Sequence, residues 1–406
     1  MKNNIVKLKL KSILSFTLCM ILLIAPLSSC DKNTGSSPDL DTNESAFHTT
    51  NVIRVSGNIH EYGPYVYTTN TELYRYNIKT NVLSKVCMDP TCDGSCVLEN
   101  FVGYVNQVYD GKLFFYTYER SIGYYGYQDL QTGHVTVLKE LSSRETVGHA
   151  TFIYNNKMYY KQKVLRDGGD VKNPEDYIPC ICSISLDSGK EEVLLENINE
   201  TLLLIVDGIM ITYDGESVFT YDINTFEKKT LLKLEDCGYA HLGGTKNYFN
   251  GKLYLIGGLN EYVYSEYSKV SYPITYLVSI DINTGEFNRV VEEPVIQYCV
   301  TDEGIYYSPF KLRHMYIPEN YEKKPGNVVV FLADETLHFC NHDGSGDKEV
   351  YTNEKLYYME LFTVIDNVLY GWLFDYDDES HRWGERYHGS IDLATGVVTK
   401  AIDMTE

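Results

Sequence analysis

Three cysteines crowd the segment Cys87-Met88-Asp89-Pro90-Thr91-Cys92-Asp93-Gly94-Ser95-Cys96. At this spacing, thiols can bridge to one another or bind a soft metal ion as thiolates. Three thiolates without a fourth ligand make a poor closed zinc site, so disulfide, metal and free thiol all stay open at this knuckle. Carboxylates offer a second chemistry. Glu145, Glu200 and Glu235 recur at the entrances to strands, and gathered around one opening they would attract a cation or serve as acid and base. Aromatic rings offer a third. Tyr124, Tyr125, Tyr177, Tyr264, Tyr267, Tyr316 and Trp383 fall in the segments between strands, where a flat ring with a polar tip suits a sugar or a protein partner. Packing of these rings within their own loops is the competing reading. Asp375, Asp377 and Glu379 alternate as calcium ligands do, but Ser380 stands where such a loop needs glycine. The sequence has no phosphate-cradling glycine loop, no His-Glu-x-x-His and no Gly-x-Ser-x-Gly.

A recurring phrase must position these groups. One half is a turn opening an aromatic strand: Tyr109-Asp110-Gly111-Lys112-Leu113, Tyr154-Asn155-Asn156-Lys157-Met158, Phe249-Asn250-Gly251-Lys252-Leu253 and Ile365-Asp366-Asn367-Val368-Leu369. The other half is a strand ending in a turn: Asp129-Leu130-Gln131-Thr132-Gly133, Ser185-Leu186-Asp187-Ser188-Gly189, Asp281-Ile282-Asn283-Thr284-Gly285 and Asp392-Leu393-Ala394-Thr395-Gly396. A period of this length marks a repeat architecture. Each unit divides into four strands, a to d, and units begin near residues 52, 100, 147, 199, 238, 296 and 355. The expected fold is all-β, a seven-bladed β-propeller of four-stranded antiparallel sheets, with six or eight blades also fitting the soft first and sixth boundaries. Val52–Val55 is the expected means of ring closure. In such a ring the b–c and d–a connections share one face and the a–b and c–d turns share the other. The length variation falls between b and c, at Val164–Pro179, Gly257–Thr275, Lys311–Asn327 and Asp375–Tyr387. Function is therefore expected on the b–c face.

The N-terminus belongs to targeting rather than to the fold. Lys2, Lys7, Lys9 and Lys11 precede the apolar run Ile13–Pro26, the pattern of an export signal. The following Leu27-Ser28-Ser29-Cys30 resembles the lipobox of bacterial lipoproteins, which implies cleavage before Cys30 and lipid on its thiol. The expected organisation is a signal peptide over 1–29, a lipidated cysteine with a polar tether over 30–51, and the propeller over 52–406. That organisation places the protein on the extracytoplasmic face of a cell membrane. The chain carries 35 Lys+Arg against 56 Asp+Glu, a net charge of −21, which argues against nucleic acid or an anionic surface as partner of the body. Of 10 cysteines, Cys19 leaves with the signal and Cys30 carries lipid, leaving an even number that favours disulfides in an exported protein.

Taken together, the lipobox, the blade phrase and the Cys-x-Asp-Pro-x-Cys knuckle after the first blade resemble a family of bacterial surface lipoproteins. The family has predicted propeller folds and no established activity. Its segment carries His where this chain has Gly94, a departure that weakens the zinc reading. The expected function is a lipid-anchored binding module for a glycan, peptide or protein, with no cofactor and no catalytic residue assigned. The alternative is a carbohydrate-active or hydrolytic enzyme using carboxylates such as Glu145 or Glu200 at the channel mouth.

Overall fold

The computed structural model describes residues 52–55, 59–69, 73–86, 103–119, 122–265, 270–309, 336–352, 356–377 and 382–403. Their strands form seven antiparallel sheets of four consecutive strands, two of which gain a fifth strand. Each blade packs on its sequence neighbours, and blade seven packs on blade one, so the sheets close into a ring. The fold is a seven-bladed β-propeller.

The repeated phrase sets the turns. At the a–b corners Asp110, Asn155, Asp207, Asn250 and Asp366 take φ between 46° and 51°. Each is followed by Gly111, Asn156, Gly208, Gly251 or Asn367, also at positive φ. Two successive left-handed residues give the tight hairpin whose twist matches the strands, which is why Asn, Asp and Gly occupy these slots. At the c–d corners the aspartate acts as a cap. Asp281 Oδ1 accepts the N–H groups of Asn283 and Thr284, both at 2.9 Å, and Asp222 and Asp392 repeat the arrangement. The threonine N–H, the largest influence on each, holds these carboxylates below their usual range. Blade four lacks the glycine of this turn, and Phe226 takes its place at φ 56°.

Tyrosine joins one blade to the next. Tyr298 on blade six donates to the Tyr254 carbonyl of blade five at 2.8 Å, and Tyr254 donates to the His342 carbonyl at 3.3 Å. Tyr248 on blade five donates to Asp207 of blade four at 2.9 Å. Between blades two and three, Glu191 accepts from Lys139, Gln162 and Tyr160. A phenol buries a large apolar ring and still places a donor at the end of it, so one residue type serves both packing and registry. Each such bond contributes about 1 kcal/mol net.

Closure differs from the expectation. Val52–Val55 does not seal the ring: Ile53–Val55 lies inside the channel, antiparallel to the innermost strand of blade five, with Ile53 opposite Tyr248 and Val55 opposite Lys246. Blade one starts instead at Ile59. The seal is at the outer edge, where Ile402–Asp403 pairs parallel with Val82–Leu83 of blade one. Asn81 Nδ2 donates to the Lys400 carbonyl at 2.8 Å, and Trp372 Nε1 donates to Thr68 Oγ1 at 3.1 Å across the same seam.

The long b–c connections of blades five and seven are hairpins rather than irregular loops. Lys252–Ser265 pairs with Val270–Asp281, and Val368–Asp377 pairs with Arg382–Asp392. Runs rich in Tyr and Val have the composition of strands, and the extra length extends the sheet outward.

Candidate functional site

The residues of the expected aromatic face fall in different environments. Tyr124 and Tyr125 lie on strand c of blade two, Ile122–Asp129, and not in a loop. Tyr125 is fully buried between the rings of Tyr116 and Tyr160, at centroid distances of 5.1 and 5.0 Å, so it cannot present a face to a ligand. Tyr124 is half-buried. The Tyr177 hydroxyl donates to the Val171 carbonyl of its own loop at 3.4 Å. Tyr264 and Trp383 fall on the two long hairpins, opposite Ser271 and Tyr376 respectively. Nearby Tyr262 is 57% exposed. Tyr267, Tyr316, Cys30 and the knuckle Cys87, Cys92 and Cys96 lie outside the described residues.

The three glutamates do not make a common mouth. Glu200 is buried and saturated: Thr212 Oγ1 and Lys228 Nζ donate to it at 2.5 Å, and Tyr221 donates at 3.0 Å. Its donors come from strands b, c and d of blade four, so it braces that blade. Burial of the Tyr221 phenol, together with its bond to this carboxylate, pushes the phenol above its ordinary range. Glu145 accepts the Ser142 N–H at 2.8 Å and caps its own turn. Glu235 is exposed on the short helix Leu234–Cys237. Asp375 and Asp377 are strand residues, and no metal-holding cluster of His, Cys, Asp and Glu occurs among the described residues. Cys180, Cys182, Cys237, Cys299 and Cys340 are unpaired thiols, so the even cysteine count does not translate into disulfides among them. Cys180 and Cys182 are core residues of blade three, and burial pushes the Cys182 thiol up to about 12.

The axis of the ring holds what the sequence did not suggest. Arg54, on the strand inside the channel, is 8% exposed. Its Nη2 meets Glu61 Oε1 of blade one at 3.0 Å, Cys299 Sγ of blade six at 3.2 Å and the Val300 carbonyl at 3.3 Å. Its Nη1 donates to Thr363 Oγ1 of blade seven at 2.8 Å, and that hydroxyl donates in turn to Glu61. Because the strand itself pairs with blade five, one guanidinium ties four blades together at the centre.

Arg54 also lines two cavities. The smaller, about 180 Å³, lies against blades five to seven. The larger, about 710 Å³, is a funnel formed by the ends of the inner strands of blades one to four. Its rim is the row of a–b turn residues Asp110, Asn155 and Asp207, and Tyr62, Tyr109 and Tyr154 stand beside them. Val108, Ile153 and Ile205 complete the lining, the two isoleucines packed in the blade cores, together with Arg54 and Glu61. The funnel therefore opens on the a–b face, opposite the face with the long hairpins. A concave pocket of this volume, with tyrosine rings and several convergent polar groups, has the size of a small-molecule site. The rim residues stand in the sequence inside the a–b phrase, where their turn-forming role accounts for them fully. Only their shared position in successive blades could have suggested a ring of polar groups at the axis.

No family model matches this sequence, and no curated protein matches it. Solved structures do. A prolyl endopeptidase matches with a TM-score of 0.51 at 10% identity, over 86% of this chain and 49% of that one. An oligogalacturonate lyase from Vibrio parahaemolyticus matches with a TM-score of 0.47 at 10% identity, over 82% and 93% of the two chains. The propeller domain of the trilobed protease from Pyrococcus furiosus gives 0.46 at 11% identity, over 87% and 97%. The chain spans about half the length of the prolyl endopeptidase. At such identities the likeness is one of fold.

Proposed function

We propose that this protein is a binding module that takes a small ligand in the axial funnel, and that lipid on Cys30 holds it at the extracytoplasmic face of a cell membrane. The observation that carries the reading is the funnel itself, about 710 Å³, ending at the buried Arg54–Glu61 pair. The anchor rests on the sequence Leu27-Ser28-Ser29-Cys30 behind a basic and apolar N-terminus. The enzyme alternative loses support from Glu200, whose carboxylate already receives donors from three strands of its own blade. Peptidase and lyase relatives by fold do not supply it with catalytic residues here.

A second reading keeps the binding surface on the b–c face. It is favoured by the two paired hairpins of blades five and seven and by the exposed ring of Tyr262. One experiment separates the two. Peptide and glycan panels are screened by titration against the protein and its Tyr154→Ala, Tyr264→Ala and Trp383→Ala variants. Binding lost in Tyr154→Ala and kept in the other two supports the funnel. The reverse pattern moves the site to the hairpins. Membrane anchoring is tested separately by the partition of Cys30→Ser into the soluble fraction.

A further inference from the structure

We propose that the funnel receives a short, extended peptide with a free amino terminus, bound by addition of a strand to an inner edge of the ring; this rests on the funnel being the ligand site. The channel already contains the template. Ile53–Val55 is an extended segment seated along the inner strand of blade five, His241–Phe249, in regular antiparallel register. Blades two, three and four present the equivalent strands to the funnel, namely Gly103–Tyr109, Thr146–Tyr154 and Thr201–Val206. Each is the terminal strand of its sheet, paired on one side only among the described residues. An unpaired edge offers a row of N–H and C=O groups to any extended backbone that reaches it. At Ile153 this edge is occupied, because its N–H donates to Gln107 Oε1 of blade two at 3.0 Å, and an added strand there has to displace that side chain.

Side chains select among extended ligands. Half-buried Val108 and the rings of Tyr62, Tyr109 and Tyr154 offer apolar surface to a peptide side chain. At the rim Asp110 and Asp207 are exposed carboxylates. Arg54 is the sole Lys or Arg among the described residues of the lining, and its charge is engaged by Glu61. The opening is therefore acidic, attracting an ammonium group and repelling anionic ligands. The Arg54 Nε–H is buried with no acceptor among the described residues.

The probes are trivaline amide with a free amino terminus, its N-acetylated form, its backbone N-methylated form, and maltotriose. Each is titrated calorimetrically into the full chain and into the Asp110→Asn, Asp207→Asn double variant. Asparagine tolerates the left-handed turn conformation and keeps an acceptor for Tyr248. The expected result is binding of the free peptide, at least tenfold weaker binding after backbone N-methylation, and severalfold weaker binding after acetylation or in the double variant. Equal binding of the N-methylated peptide would overturn strand addition. If the double variant still weakens the free peptide in that case, the funnel remains the site; if it does not, the funnel reading falls as well. Binding of maltotriose with no binding of trivaline, or of no probe at all, would also overturn the peptide assignment.

Discussion

Arg54 and Glu61 meet at 3.0 Å on the axis of the ring, their side chains 7% and 4% exposed, on two strands that belong to different blades. A buried pair of this kind is costly to form and more costly to break on one side. Removing the cation leaves Glu61 with the Thr363 hydroxyl alone among its described partners. Arg54→Ala is expected to destabilise the protein by about 3–5 kcal/mol, and Arg54→Met with Glu61→Leu by clearly less than Arg54→Ala alone. Denaturant unfolding of the variants checks both statements.

The seam between blades seven and one buries a histidine. His388 is 1% exposed, and neither ring nitrogen has a partner among the described residues; Tyr76 and Trp372 lie against it. Burial pushes its pKa down to about 3. An unfolded chain takes up this proton near pH 6.5, whereas the folded chain refuses it until about pH 3. Between those values the unfolded state holds more protons, so stability falls as pH is lowered through this window, by at most ~1.4 kcal/mol per pH unit. His388→Phe should flatten that part of the curve, as read by thermal melts from pH 7 to about pH 4.

Gly344 marks the contact of blades five and six. Its φ is 84°, and a Cβ there would meet the Val290 carbonyl oxygen at 1.7 Å. Gly344→Ala combines a left-handed conformation with a backbone clash, so a loss above about 2 kcal/mol is expected. Gly133→Ala, with φ 73° and open space around it, isolates the conformational part and should lose about 1 kcal/mol. Equal losses in the two variants would show that Val290 moves aside.

Much of this fold was legible because it is written in turns. Asp110-Gly111 and Asp281-x-x-Thr284-Gly285 specify local conformations, and local conformations survive without knowledge of their neighbours. Blade starts near 100, 147, 199, 238, 296 and 355 accordingly fall within three residues of the observed strands. Closure was not legible, since pairing of Ile402 with Val82 across the whole chain depends on the ring having formed. The b–c hairpins differ from the expected loops because Tyr and Gly over 257–275 suit strand and surface equally. The axial cluster around Arg54 was the least visible part. Nothing in the triplet Ile53-Arg54-Val55 signals a strand threaded through a channel, and the bonds that reveal it reach residues more than 240 positions away. Glu200 misled for the converse reason: an acidic residue before an inner strand looks the same whether it faces the axis or braces a blade.

Hairpin variants should leave the funnel intact. Tyr264→Ala and Trp383→Ala lie on extensions whose pairing runs beyond the ring-forming parts of blades five and seven, so melting temperature is expected to stay within about 2 °C. A larger drop would place these hairpins among the structural contacts of the ring.

Hydrogen–deuterium exchange on the protein saturated with its best-binding peptide tests the ligand site most directly. Slowed exchange is expected in the inner strands 103–109, 146–154 and 201–206, with residues 257–275 and 368–392 unchanged. Protection confined to those two hairpins, with the inner strands exchanging as before, would contradict it.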